Sequence, residues 1–93
     1  MPEIIVKQMP GFKKAYKKLH PNEKKYVDKA IKAIIINPKT GEEKKGDLAG
    51  VFVYKLKFQT KEFLLGYEWD PKQRLLLALG VHENFYRDLK QKL

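Results

Sequence analysis

Three runs rich in Val, Leu, Phe and Tyr follow one another in the second half of the chain, at 51–58, 62–69 and 74–79. The last, Leu75-Leu76-Leu77-Ala78-Leu79, lacks any polar alternation. Short runs of this kind, separated by turn residues, read as an antiparallel meander. Asp70-Pro71-Lys72-Gln73 joins the last two, with Asp first and Pro second in a type I turn. An apolar run without alternation fits a strand covered on both faces, so 75–79 is expected at the centre of the sheet.

The first half has a different period. Ile4-Ile5-Val6 is a short β-branched run that reads as an N-terminal strand, ended by the breaker pair Pro10-Gly11. Phe12, Ala15, Tyr16 and Leu19 then recur at helical spacing. Pro21 takes His20 out of the α region, and Pro21 or Asn22 opens a second helix with the apolar stripe Tyr26, Val27, Ala30, Ile31, Ile34 and Ile35. Asn37-Pro38 stops it. Lys39 to Gly50 is a polar, glycine-bearing connector, and Glu83 to Leu93 closes the chain as a helix with Phe85, Tyr86, Leu89 and Leu93 as its apolar members. Ninety-three residues make a single domain, 1–93, with a thin core that a covering partner would stabilise.

Twenty Lys and Arg against eleven Asp and Glu give a net charge of +9, the mark of a polyanionic or acidic partner. Residues 1–46 hold twelve basic and five acidic side chains and carry +7, whereas 47–93 hold eight and six and carry +2. Eight lysines lie on the two predicted helices: Lys13, Lys14, Lys17, Lys18, Lys24, Lys25, Lys29 and Lys32. Lysine attracts phosphate as a point charge but does not read guanine bidentately, which argues against sequence-specific recognition of DNA. The chain has no cysteine, no apolar run of about 18 residues and no basic leader, so a cytoplasmic, non-membrane protein is expected.

Few residues offer chemistry. On Val53 to Phe58 the period of two sets Lys55 and Lys57 on one face and Tyr54, Leu56 and Phe58 on the other. Two lysines on a strand are ordinarily a solvated face. His82 follows Gly80-Val81 at the end of the apolar run, with Tyr86 four residues on. That placement suits a catalytic histidine as well as a capping one. His20, in the hairpin turn, reads as structural. Glu62 is the one acid that can share a face with the two lysines. No metal-ligand spacing or phosphate-cradling glycine loop occurs, and Thr40 and Thr60 have no neighbouring base. No cofactor is expected. Cleavage of RNA stays open without either, because the ribose 2′-OH is the nucleophile and the enzyme supplies a base, an acid and cations.

Asn37-Pro38-Lys39-Thr40-Gly41, Val53-Tyr54-Lys55-Leu56-Lys57 and Ala78-Leu79-Gly80-Val81-His82-Glu83-Asn84-Phe85-Tyr86-Arg87-Asp88-Leu89, in that order and spacing, resemble the RelE/ParE superfamily of type II toxin–antitoxin toxins. The resemblance covers nearly the whole chain. It implies an α+β fold: an N-terminal strand, a helical hairpin packed on a curved antiparallel sheet of three to four strands, and a short C-terminal helix. It also implies a cognate antitoxin, and contact with DNA only through the antitoxin complex. Lys55 and Lys57 fall where RelE-like mRNA interferases carry a lysine pair, while the arginines of that branch are replaced by Glu62 or Leu64 and by His82. The spacing of Glu62, Tyr67, His82 and Tyr86 is similar to the acid, tyrosine, histidine and phenylalanine of the YafQ-like branch. On this resemblance the chain is expected to be a metal-free, ribosome-dependent mRNA endonuclease. His82 then serves as acid or base, Glu62 assists it, Lys55 and Lys57 stabilise phosphorane charge and Tyr86 positions a base. Arg87 adds a phosphate contact, and the hairpin lysines contact RNA. A ParE-like gyrase inhibitor and a non-catalytic RNA- or ribosome-binding module are the alternatives.

Overall fold

The computed structural model describes residues 3–82, 85–87 and 89. Its strands are β1 (Ile5–Gln8), β2 (Glu42–Glu43), β3 (Phe52–Phe58), β4 (Lys61–Asp70) and β5 (Gln73–Val81), and its helices α1 (Pro10–Lys17) and α2 (Pro21–Ile36). Residues 85–87 and 89 are also helical; Leu93 and the other positions of the expected C-terminal helix lie outside the described residues. The strands form one sheet in the order β1-β5-β4-β3-β2.

The α+β architecture is as expected, with corrections. The sheet has five strands and is mixed, because β1 runs parallel to β5, with Ile5 opposite Gln73 and Gln8 opposite Leu76. Parallel partners need a crossover, and here the helical hairpin supplies it. Pro10-Gly11 does not break the chain but opens α1, since a proline in the first turn gives up only an amide that has no intrahelical partner anyway. β4 is the middle strand, and β5 is flanked by β1 and β4.

The lack of alternation in 75–79 reflects cover on both faces, as expected, and a bulge divides the run between them. Gly66 pairs with Ala78 and Tyr67 with Leu76, so Leu77 is an extra residue, a β-bulge that turns Leu77 and Ala78 to the same face. Leu76 and Leu79 face the hairpin, packing with Phe12, Val27, Ala30, Ile34, Phe63 and Leu65. On the other face Leu77 and Ala78 meet Leu48, Val51, Val53, Leu64, Phe85 and Leu89. Gly66 allows that second layer to approach, because a Cβ there would stand 2.9 Å from Phe85 Cζ.

Two polar anchors tie the hairpin side together. His20 caps α2, its Nδ1 accepting from the Asn22 amide at 3.4 Å while Glu23 Oε1 accepts from the His20 amide at 2.9 Å. Its expected structural role holds. The buried Tyr67 hydroxyl donates to the Pro38 carbonyl at 2.6 Å and accepts from the Gly41 amide at 2.9 Å. Burial pushes this phenol above its ordinary pKa, so it stays protonated. Tyr67→Phe should therefore cost about 1–3 kcal/mol in urea unfolding, the penalty for orphaning a buried amide and carbonyl. A loss below measurement error would show that water replaces the hydroxyl.

Candidate active site

The register assembles one row at a time on the sheet face opposite the hairpin. Lys57 pairs with Glu62 and Lys55 with Leu64 across β3 and β4. Directly opposed residues share a face, so Glu62 joins both lysines. On the other side of β4, Phe63 pairs with Val81 and Leu64 with Gly80. His82 follows Val81 directly, where the chain leaves β5 for a helical turn. Lys57 and Glu62 thus lie side by side near the end of the sheet where His82 begins that turn. Gly80, with nothing within 4 Å of where its Cβ would stand, leaves the space beside Leu64 open.

Lys55, Lys57 and His82 are exposed and Glu62 is half-buried. Tyr86 comes over this face from the helical segment, its ring 5.5 Å from that of His82 in an edge-on contact and 5.1 Å from Phe85. Because Phe85 and Leu89 are buried, Tyr86 is held by the core while its flank stays accessible. Arg87 is exposed on the same segment. Of the five residues named as catalytic, Lys55, Lys57 and Glu62 share this face by register, and His82 and Tyr86 are in ring contact with each other.

Two groups that sequence reasoning passed over join them. Lys44 sets its Nζ 3.0 Å from Glu42 Oε1 and 5.5 Å from the centre of the Tyr86 ring. The Lys44 ammonium hydrogen-bonds Glu42 and holds its carboxyl below the usual carboxylate range, and Lys55 adds to the effect. Lys44 in turn titrates above its ordinary value because Glu42 and Tyr86 hydrogen-bond to it. Neither residue gave a signal in the sequence, where both fell inside a polar connector.

Other expected residues lie elsewhere. Tyr67 points to the hairpin side of β4, fully buried, and does not share a face with Glu62. All eight hairpin lysines are likewise on the far side of the sheet from His82. Seven of them are exposed, while Lys24 is half-buried with its Nζ 5.5 Å from the centre of the Tyr16 ring. Among the described residues, no helix is long and apolar enough to cross a membrane, and no three His, Cys, Asp or Glu side chains gather to hold a metal.

Comparison with known proteins follows the same lines. A family model described as a ParE-like toxin of a type II bacterial toxin–antitoxin system matches residues 6–90. The fold is similar to that of a double mutant of the Escherichia coli toxin RelE in the free state, with a TM-score of 0.74 and 16% identity over 98% of both chains. It is similar also to the toxin–antitoxin complex RelBE2 from Mycobacterium tuberculosis, with a TM-score of 0.72 and 19% identity over 86% of this chain and 99% of that one. The intact E. coli RelBE complex gives a TM-score of 0.68 and 16% identity over 85% of this chain and 96% of that one. No curated protein matches.

Proposed function

Because the chain belongs to the ParE-like toxins of type II bacterial toxin–antitoxin systems, we propose that it poisons translation as a metal-free, ribosome-dependent mRNA endonuclease. The observation that carries this is one open sheet face on which Lys55, Lys57 and Glu62 align by register, with His82 at the end of β5 against the Tyr86 ring. Cleavage needs a base to take the 2′-OH proton as that oxygen attacks phosphorus, and an acid to protonate the 5′-oxygen as the P–O5′ bond breaks. His82 performs one of these transfers, since imidazole exchanges protons near neutrality. Glu62 orients the imidazole. Lys55 and Lys57 stabilise charge on the phosphorane oxygens, Tyr86 offers an aromatic face to an unstacked base, and Arg87 contacts a phosphate.

The family description also favours a second reading, inhibition of DNA gyrase. Primer extension on cellular mRNA after induced expression, run beside a gyrase supercoiling assay, separates the two. New 5′ ends without loss of supercoiling support cleavage; loss of supercoiling without new ends overturns it.

In the cell an acidic or amphipathic antitoxin segment covers the toxin, as the +9 charge favours. The hairpin lysines, on the opposite face from His82, form a separate footprint on ribosomal RNA. Changing Lys13, Lys14, Lys17 and Lys18 to Gln should cut the salt slope of ribosome binding, log K against log salt, by about 3–4. Unchanged cosedimentation across a salt series would show a merely solvated face.

A further inference from the structure

We propose that Lys44 is a further phosphodiester-binding group of the open sheet face, masked by Glu42 until RNA displaces the carboxylate. The inference deepens the nuclease reading and rests on it.

Edge strand β2 delivers both residues. Glu42 pairs with Val53, and the Lys44 amide donates to the Val51 carbonyl at 2.8 Å, so the ladder continues past the strand's formal end. A period of two then points Glu42 and Lys44 to the face that Val53 and Lys55 share. Glu42 lies diagonally across from Lys55, within reach of a long side chain.

The two members of the ion pair differ in cover. The Lys44 side chain keeps 21% of its surface exposed and Glu42 keeps 66%. Lys44 is packed against Tyr86, which stands between it and His82. The ammonium is therefore the fixed member and the carboxylate the outer, replaceable one. A carboxylate and a phosphodiester are both singly charged oxygen anions that accept from an ammonium at similar distances. An incoming phosphate can take the position of the Glu42 oxygen, and Glu42 can swing into solvent. An open groove of about 380 Å³ lies along this edge, lined by Thr40, Glu42, Val53, Tyr54 and Lys55, so the carboxylate side of the pair borders it. Displacement frees Lys44 and relieves Lys55 of the same negative charge.

Removing the mask and removing the cation should act in opposite directions. The test is binding of a fluorescent single-stranded RNA oligonucleotide, with 2′-O-methyl sugars to prevent cleavage, to the full chain over a salt series. Lys44→Met should weaken binding several-fold and lower the salt slope by about 0.7. Glu42→Gln should tighten it several-fold. Glu43→Gln and Lys45→Met, which alternate to the other side, make the same changes in net charge and should have smaller effects. If the pair merely pins the edge strand, both Lys44→Met and Glu42→Gln weaken binding, and that outcome overturns the proposal. So does binding by Lys44→Met equal to that of the unaltered chain, or by Glu42→Gln no tighter than by Glu43→Gln. An unaltered chain that binds no free oligonucleotide overturns the proposal as well, whereas the nuclease reading, which places cleavage on the ribosome, falls only if primer extension shows no new 5′ ends.

Discussion

His82→Gln should lower mRNA cleavage by ~10²–10⁴-fold, the usual contribution of one general acid or base, and abolish growth arrest. The size of the effect follows from what is lost and what is kept. Glutamine matches the histidine in polarity and approximate size but cannot exchange a proton near pH 7. The side chain is exposed, and its ring contact is with Tyr86 at the edge of the second layer. Removing it leaves the core untouched, so thermal stability and ribosome binding should stay at the parent level. Lys55→Met with Lys57→Met should also lose cleavage, but with weaker RNA affinity, because charge rather than proton transfer is removed. Full toxicity in a folded His82→Gln protein would remove the histidine from the chemistry and promote the gyrase reading.

Arg74→Ala should cost about 4 kcal/mol in urea unfolding, a large part of the 5–15 kcal/mol that holds a domain together. Arg74 is only 4% exposed. Its Nε donates to the Ile34 carbonyl and Nη2 to the Ile35 carbonyl, each at 3.1 Å. Nη1 donates to the carbonyls of Asp70 at 2.6 Å and Gln73 at 3.1 Å. The first two acceptors lie in the last turn of α2, where carbonyls have no helical partner and the helix carries partial negative charge. One guanidinium thus caps a helix and fastens it to the β4–β5 turn. Arg74→Lys keeps the charge but not the planar fork, and should recover less than half of the loss. A cost under 1 kcal/mol for Arg74→Ala would mean that water reaches these carbonyls.

Patterns of period 2 and 3.6 made the meander, the hairpin and the split of β3 into Lys55/Lys57 and Tyr54/Leu56/Phe58 faces legible from residues alone. Long-range pairing was not. Nothing in Ile4-Ile5-Val6 says that it lies parallel to β5, because partner choice is decided by the crossover and not by the strand. The bulge at Leu77 was equally hidden, since an apolar run reads the same with or without an extra residue. The face shared by Lys55, Lys57 and Glu62, and the placing of Gly80 beside Leu64, follow from register, which a two-residue turn at Gln59-Thr60 and the bulge set together. Glu42 and Lys44 were missed because two residues of edge strand have no periodicity to detect. Arg74 stood in the sequence only as the first residue of a strand, and the end of α2 packed over it reveals its role.

The β1–β5 ladder joins Ile5 to Gln73, 68 positions later. Closing a loop that long costs more entropy than any hairpin in the sheet, and it cannot begin until β5 exists. During synthesis the N-terminal strand therefore waits, without its hydrogen-bonding neighbour, until Gln73 to Leu76 have been made. His82 and Tyr86 come later still. Until β5 has been made, a growing chain leaves the backbone edge of Ile5–Gln8 open to pairing with another chain.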